Sequence, residues 1–584
     1  SDLNLLYVVV NSSSFWNFSK HNKIEGLVND IGLDAKMHLT ENNKIYQVNL
    51  SEKILVLVLA KISNLIPQGG IWLNTQRPEW NDANNALVGY GLSMVTVAYL
   101  RRFLVFFMKI FSTNSESINM SIEVITWLDN VIISLEKYQN YLDEDSFTPE
   151  VRMNFIKDVG GNFSDYRENI YINGFTKKQK IDRNKIIEFM KLSLRYIDDT
   201  IRSNIDKKGL YNSYNIINFS SDFNKAEISY LYEMLEGQVA VISSGLLNSN
   251  ETIELLKNLY RSQIYRQDQN SFMLYPRKNL DSFMEKNIIP HPKVLQNSLM
   301  VKLLGNNNNI ILSIDSHGRY RFNADFRNSS DLSKVLEALD SKLYSINQDE
   351  KIDIINIFED VFNHHSFTGR SSNMFAYEGI GSIYWHMVSK LLLAVQEVFN
   401  KSIILDESPE IINMLGDYYY KIRGGLSADK TPKKYGAFPF DPYSHTPYNS
   451  GAKQPGMTGQ VKEEIITRMG EFGCFIHNRC LFFNPKLLRR TEFLIKDGSL
   501  NYINILKKND SIKIERNQLA FTYCQVPIIY YFDKQRSLTI LFNDGKKENI
   551  KGNQLTESIS NSILKRAGII KEVRYGFPSS NLLF

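Results

Sequence analysis

The feature that most constrains the fold of this 584-residue chain is a long series of amphipathic segments with helical periodicity. Apolar residues recur at helical spacing over approximately 51–66, 86–110, 119–142, 184–204, 225–247, 250–264, 331–345, 350–362, 380–400, 408–421 and 458–470. The linkers are rich in Gly, Asn, Tyr and Pro, and the longest extends from Arg423 to Met457. Alternating short and long connections predict a mainly α fold, an (α/α)6-type toroid whose inner helices end in loops around one cleft. An irregular helical domain is the alternative.

Two stretches depart from this helical pattern. Residues 296–327 alternate around the turn Ser316-His317-Gly318, which predicts a small β-hairpin inserted between helices. After about residue 485 the pattern is strand-like, with a hairpin signal at Asn543-Asp544-Gly545. We therefore divide the chain into an N-terminal segment 1–50, a toroidal catalytic domain 51–484 and a C-terminal antiparallel β domain 485–584. The first segment is interpreted as the remnant of an upstream domain.

Composition argues against several classes of protein. The 68 basic and 63 acidic residues are interspersed, so no basic stripe for nucleic acid is present. The three Cys lack metal-site or disulfide spacing, and His364-His365 is the only adjacent His pair, so we expect neither a metal nor another cofactor. The apolar runs are too short to span a membrane, and the first residues do not resemble a signal peptide. Localisation stays open, with the cytoplasm favoured.

A polar and aromatic cluster precedes the apolar helix that begins near Ala86. Arg77-Pro78-Glu79-Trp80-Asn81-Asp82-Ala83-Asn84-Asn85 places two acids, an indole and three amides within nine residues. Trp offers a face to a sugar ring, amides bind hydroxyls, and a carboxyl can protonate a glycosidic oxygen. An N-terminal helix cap would explain one acid but not the whole group. The cluster therefore predicts a carbohydrate site.

The same cluster resembles the acid loop of a known enzyme family. Glu79-Trp80-Asn81-Asp82, followed by Asn85, Val88-Gly89, Gly91 and Ser93, is similar to the cellobiose and chitobiose phosphorylases, inverting enzymes with an (α/α)6 toroid. The resemblance covers about twenty residues and implies that Asp82 is the general acid. Related loops occur in other six-hairpin glycosidases. Only about eighty residues precede this loop here, whereas more structure precedes it in the family, so the toroid is permuted or the chain is part of a longer protein.

A second constellation lies at the start of the last periodic segment. Thr458-Gly459-Gln460 stands where the phosphorylases use a Thr-Gly-Ser turn to bind phosphate, and the third residue departs from that pattern. Lys462, Glu463 and Glu464 follow. One of these acids could activate water as the general base, or both could simply favour the helix N-terminus. The two are about 100° apart on a helix, so at most one should face a cleft.

A third constellation extends from Arg370 to His386. Glu378 directly follows Tyr377, precedes Gly379 and Gly381, and is the rival candidate for the base. The alternative is that Glu378 caps a helix. Asn363-His364-His365, Arg370 and Tyr377 could also supply a polysaccharide lyase, which abstracts a proton beside a uronate.

Together these patterns favour an inverting enzyme that cleaves glycosidic bonds of an oligo- or polysaccharide. Hydrolysis comes first because candidate bases are present, and phosphorolysis by inorganic phosphate is the first alternative. The remaining alternatives are a polysaccharide lyase and a non-catalytic glycan-binding toroid. The predicted catalytic residues are Asp82, Glu463, Glu464 and Glu378, and the predicted substrate-binding residues are Trp72, Arg77, Trp80, Asn81, Asn85, Asp268, Gln269, Arg370, Tyr377, Tyr443, His445, Thr458, Gln460 and Lys462.

Overall fold

The computed structural model describes residues 18–40, 42, 44–74, 87–113, 116–144, 146–276, 282–339, 344, 347–362, 385–426 and 460–584. Within these ranges the protein is mainly helical. Its helices are α1 Phe18–Ile31, α2 Leu50–Ile62, α3 Met94–Phe111, α4 Ile122–Lys137, α5 Gln139–Asp143, α6 Pro149–Asn173, α7 Arg183–Arg202, α8 Leu235–Ser244, α9 Ser249–Arg261, α10 Phe283–Lys286, α11 His291–Gln296, α12 Ser298–Gly305, α13 Ser329–Ala338, α14 Gln348–Phe362, α15 Trp385–Ile404, α16 Pro409–Arg423, α17 Gln460–Glu471 and α18 Glu557–Leu564.

Short strands connect the helices, and longer ones form the C-terminal region. The strands are β1 Leu65–Ile66, β2 Gly70–Trp72, β3 Gly91–Ser93, β4 Ile118–Ser121, β5 Lys178–Ile181, β6 Tyr214–Phe219, β7 Ala226–Tyr230, β8 Tyr265–Arg266, β9 Ser271–Phe272, β10 Leu312–Ile314, β11 Tyr320–Phe322, β12 Cys474–His477, β13 Cys480–Phe483, β14 Gly498–Ile503, β15 Asn509–Ile514, β16 Gln518–Tyr523, β17 Val526–Phe532, β18 Ser537–Phe542, β19 Lys547–Lys551 and β20 Ile570–Phe577.

The main helices pack in a continuous series around the largest apolar core. α6 packs on α4, α4 on α7, α7 on α3, α3 on α8, and α8 on α15, which also contacts α16 and α17. Trp127, Tyr196 and Phe399, from three of these helices, are fully buried in the core. This helical series is compatible with part of a toroid, and closure of the ring stays a prediction.

Helices α3 and α8 run in the same direction. The backbone N–H of Met94 donates to the Ser213 carbonyl at 3.0 Å. Ser213 Oγ in turn accepts from the backbone N–H of Gly237 at 2.8 Å. At the other end, Arg101 Nη1 donates to the Ser244 carbonyl at 2.9 Å. The two helices therefore begin together and run parallel, with the end of α8 beside the middle of α3.

Helix α15 has the same direction as these two. Glu397 of α15 pairs with Arg102 of α3 at 2.6 Å, near the end of α8. α16 returns antiparallel to α15, and its last turn leads to Gly425, which lies against the Asn270 carbonyl. Asn270 directly precedes β9, and β9 contacts α15. Two residues after β9, the Leu274 carbonyl accepts a hydrogen bond from the backbone N–H of Leu235, the first residue of α8. The three helices thus begin at one common end.

A five-stranded sheet, in the order β1-β2-β3-β6-β7, lies at this end, and its neighbouring strands are antiparallel. Sequence periodicity did not predict it. The helix predicted over 225–247 is wrong in its first part, because residues 226–230 form β7 against β6 and only 235–244 are helical. Pairing with a strand that is already present overrides local helical periodicity in such a short segment.

Residues between β9 and α15 have a separate hydrophobic core. It includes Ile289, Leu303, Phe322 and Phe358 and is formed mainly by helices α11 to α14 and the hairpin β10–β11. The hairpin pairs Leu312 with Phe322, within the region where alternation predicted one. The insertion is larger than a hairpin, because helices on both sides share its core.

The C-terminal region is β-rich, as expected. Its main sheet has the order β16-β17-β20-β18-β19 and packs against α18. The prediction of a fully antiparallel sheet is wrong for one pair, because β17 and β20 run parallel, with Ile528 opposite Val573. Among the described residues, no helix combines the length and apolar character needed to cross a bilayer.

Candidate functional site

The segment that carries the predicted general acid connects two paired strands. Ile71 of β2 lies opposite Ser93 of β3. The backbone N–H of Leu73 donates to the Gly91 carbonyl at 2.9 Å, and the backbone N–H of Gly89 donates to the Leu73 carbonyl at 2.7 Å. Residues 75–86 lie outside the described ranges, and with them Arg77, Trp80, Asn81, Asp82 and Asn85. The described residues on both sides therefore hold the two ends of this segment together.

Trp72 is the described member of this group. Its side chain is 4% exposed, packs against Phe219, and donates its indole N–H to the Gly89 carbonyl at 3.0 Å. A ring in this position stabilises the strands that flank the acid segment. Its predicted contact with sugar stays a prediction.

The start of α3 follows directly from this strand pair. Ser93 is buried, and its side-chain oxygen accepts from the backbone N–H of Thr96 at 3.1 Å, as an N-terminal cap does. Because β3 ends at Ser93, the acid segment enters the fold at the common end of α3, α8 and α15. The N-termini of three parallel helices favour an anion at such an end through their dipoles.

The segment with Arg370, Tyr377 and Glu378 ends where α15 begins, at the same common end. These three residues lie outside the described ranges, as do Asn363, His364 and His365. The long linker that begins after α16 also leaves from this end, through Gly425 beside Asn270. Tyr443, His445 and Thr458 belong to that linker and are likewise outside the described residues. Three segments that carry predicted site residues therefore join the described fold at one end.

Asp268 and Gln269 lie in the β8–β9 turn at this end. Asp268 is exposed and forms an ion pair with Arg266, and that hydrogen bond lowers the pKa of the Asp268 carboxyl. Gln269 is buried. Asp268 is therefore accessible to a sugar, whereas the Gln269 side chain is packed inside the protein.

Helix α17 distinguishes the two adjacent glutamates. Glu463 is 9% exposed, and its Oε2 has no hydrogen-bond partner among the described residues. Glu464 is half-buried and Lys462 is exposed, while nothing is described of the Gln460 side chain. A buried carboxylate oxygen without a partner is costly unless a ligand or proton satisfies it. The structure therefore favours Glu463 over Glu464 as a site residue.

A further acid, not among the predicted site residues, lies at the common end. Glu236, in the first turn of α8, is buried and accepts a hydrogen bond from the Tyr214 hydroxyl at 3.0 Å. Tyr214 begins β6, which pairs with β3. A single acid in an otherwise apolar helix is a weak sequence signal, and only the pairing of β6 with β3 places Glu236 near the acid segment.

Comparison with known proteins gives one family match. Residues 280–365 match the model described as GH149 phosphorylase insertion domain 2. The match coincides with the unit between β9 and α15 that has its own core. No curated protein matches the chain. The match relates the chain to glycoside phosphorylases, without pointing to the cellobiose and chitobiose phosphorylases in particular, and identifies it as an enzyme that acts on glycosides.

Proposed function

We propose that the chain catalyses inverting phosphorolysis of an oligo- or polysaccharide. The observation that carries this proposal is the match of residues 280–365 to an insertion domain of a phosphorylase. It reverses the order of the two reactions favoured by the sequence, because phosphorolysis is now better supported than hydrolysis.

In the proposed reaction, Asp82 protonates the glycosidic oxygen while a phosphate oxygen attacks the anomeric carbon from the opposite face. The bond from that carbon to the leaving oxygen breaks. The products are a sugar 1-phosphate of inverted configuration and a glycan shortened by one unit. No general base is needed, since phosphate is already an anion.

The described fold supports this chemistry in two ways. The ends of the Asp82 segment are fixed by β2 and β3, next to the capped start of α3. The starts of α3, α8 and α15 lie together, and their dipoles favour a dianion such as phosphate. Thr458 and Gln460, before and at the start of α17, are the proposed phosphate-binding side chains, and Trp80 the proposed sugar platform.

The test is product analysis with and without inorganic phosphate. A panel of oligosaccharides is incubated with the enzyme, and sugar 1-phosphate is followed by phosphorus NMR, with its anomeric configuration read from proton NMR. We expect phosphate-dependent release of an inverted product, lost in Asp82→Asn and retained in Asp533→Asn, a matched change at an exposed turn of the C-terminal region. Turnover that ignores phosphate would refute the proposal.

Hydrolysis is the second candidate because of Glu463. Its unpartnered buried oxygen at the start of α17 is suited to holding a water molecule. Release of free reducing sugar without phosphate, lost in Glu463→Gln, would establish it. Products with unsaturated ends, detected by ultraviolet absorbance, would instead indicate a lyase.

A further inference from the structure

A cavity of about 440 Å³ opens between α4 and α6. Exposed residues such as Asn130, Asp165 and Thr176 surround its mouth, and buried Glu123 and Trp127 line its interior. Helix α7 packs on both α4 and α3, so the cavity is on a different part of the helical series from the acid segment. It takes no part in the proposed phosphorolysis.

Two buried polar groups in this cavity lack partners among the described residues. Glu123 is 6% exposed, and its Oε1 accepts from the backbone N–H of Thr176 at 2.9 Å and from its hydroxyl at 2.5 Å. Its Oε2 accepts no hydrogen bond from the part of the chain that the structure describes. Trp127 is 1% exposed, and its indole N–H has no acceptor within that same part. An acceptor and a donor are thus left unsatisfied in one cavity, each at a cost that a ligand could remove.

The charge of the lining favours a cation. Glu123 and Asp165 line the cavity, and no Lys, Arg or His does so among the described residues. A third carboxylate, Glu52, is 1% exposed, accepts from the Ser121 hydroxyl just before α4, and has its Oε2 without a partner. It is near enough to act electrostatically on Tyr166, another lining residue. Buried carboxylates of this kind are usually paired with a cation.

The shape of the lining narrows the class of cation. No group of three or more His, Cys, Asp and Glu among the described residues is placed to hold a metal ion. The Trp127 ring is stacked on Tyr166 at 4.3 Å and on Phe163 at 5.0 Å, so it is poorly placed to offer a bare face to a neutral sugar. Its N–H still needs an acceptor, which a simple ammonium ion does not provide and a hydroxyl does.

We infer that this cavity is a binding site for a small hydroxylated ammonium ion, that is, an amino alcohol or an amino sugar. The ammonium group donates to Oε2 of Glu123, and Asp165 at the mouth adds negative charge. A hydroxyl oxygen of the ligand accepts from the Trp127 N–H. Such a ligand would satisfy both unpartnered groups at once.

The test compares glucosamine with glucose and N-acetylglucosamine, which keep the ring but lack the charge. Binding to the full chain is measured by isothermal titration calorimetry below the pKa of the glucosamine amine. We expect one glucosamine per chain and no comparable binding of the two neutral sugars. Glu123→Gln, which keeps the acceptor for Thr176, should weaken glucosamine binding by roughly tenfold or more because it removes a charge-assisted bond. Glu136→Gln, an exposed acid of the same helix α4 that does not line the cavity, should leave it unchanged.

Two further variants keep the result interpretable. Asp82→Asn should retain glucosamine binding, which separates this cavity from the proposed active site. Trp127→Phe should weaken binding of glucosamine while thermal unfolding reports whether the fold is intact. Equal binding of glucose and glucosamine would show a neutral sugar site, and absence of binding by a folded wild-type chain would show a cavity without this function. Either result would overturn the inference.

Discussion

Gly470 of α17 lies directly against the side chain of Gln396 in α15, so that a β-carbon at position 470 would be 2.1 Å from Gln396 Oε1. Gln396 is buried and donates from Nε2 to the Thr467 carbonyl at 2.7 Å. This contact fixes the spacing between the helix that carries Glu463 and the helix that follows the Glu378 segment.

Gly470→Ala should therefore destabilise the protein by about 1–3 kcal/mol, since the amide must leave its position in a packed core. Chemical denaturation measures the loss. Gly161→Ala in α6 is the control, because nothing lies within 4 Å of its β-carbon position and the change should stabilise by about 0.5–1 kcal/mol. The double variant Gln396→Ala/Gly470→Ala should lose less stability than the sum of the single changes. Strict additivity would contradict the proposed contact.

Glu471, at the end of α17, is the centre of a buried ionic network. It accepts from the Tyr419 hydroxyl at 2.6 Å and from Arg423 Nε at 3.1 Å, and Arg468 links it to Glu492 near the C-terminal sheet. Glu471→Gln should cost about 3 kcal/mol, because it leaves two partly buried guanidinium groups without their shared carboxylate. The midpoint of urea unfolding measures it.

The matched control for this network is Glu557→Gln. Glu557 pairs with Arg479 at 3.3 Å on the surface, where both side chains are more than half exposed. Exposed pairs contribute about 0–1 kcal/mol, so this variant should unfold close to the wild type. Similar losses in both variants would mean that the Glu471 network contributes no more than a surface pair.

Cys474 is predicted to be unreactive in the native protein. Burial raises the pKa of its thiol to about 12, whereas Cys480 and Cys524 are only partly buried. The thiolate is the reactive form, so a disulfide reagent at about pH 8 should modify Cys474 only after unfolding. Mass spectrometry of native and denatured samples distinguishes the three sites. Rapid native modification of Cys474 would contradict its buried position.

The raised pKa of the Cys474 thiol should also make the free energy of unfolding decrease at alkaline pH. Since its pKa is higher in the folded than in the unfolded chain, its contribution is complete below about pH 8.5 and decreases as the pH rises from there. Cys474→Ala should therefore lose less stability than the wild type between about pH 9 and 11. Thermal unfolding of both proteins across that range measures the difference, and parallel pH profiles would refute it.

Some elements could be predicted from the sequence because their local signals agree. Helix α2 follows the Asn49 cap and buries its apolar stripe in the core. The helix predicted over 86–110 is correct only from Met94, because residues 91–93 pair as β3 with β2. Helix α6 was missed because Gly160-Gly161 and several Asn and Asp residues interrupt its pattern. This helix is stabilised by contacts with other elements: its buried Arg152 guanidinium donates to the carbonyls of Pro67 and Ala226.

The candidate site, like helix α6, could be predicted only where its signal lies in adjacent residues. A cluster such as Trp80, Asn81 and Asp82 can be recognised locally, because its chemistry is contained in adjacent residues. The common end of α3, α8 and α15 depends on bonds between distant residues, such as Met94 to Ser213 and Leu235 to Leu274. No periodicity encodes those pairings, so the sequence could name the loops but not show which of their flanking residues meet.

Glu463 and Glu464 of α17 allow a direct test of which carboxylate faces the substrate. Glu463 is buried with an unpartnered oxygen and lies directly after the proposed phosphate-binding segment, whereas Glu464 is half-buried. Because phosphorolysis needs no base, the role expected for Glu463 in that reaction is to accept a hydrogen bond from a substrate hydroxyl. Glu463→Gln should then lower kcat/KM by about a hundredfold, and Glu464→Gln by less than about threefold. Initial rates with saturating and limiting phosphate measure both variants, and unfolding curves exclude a general loss of structure. Equal effects would mean that burial at the start of α17 does not decide which carboxylate serves the reaction. A larger effect of Glu464→Gln would place in the cleft the helix face about 100° away from Glu463.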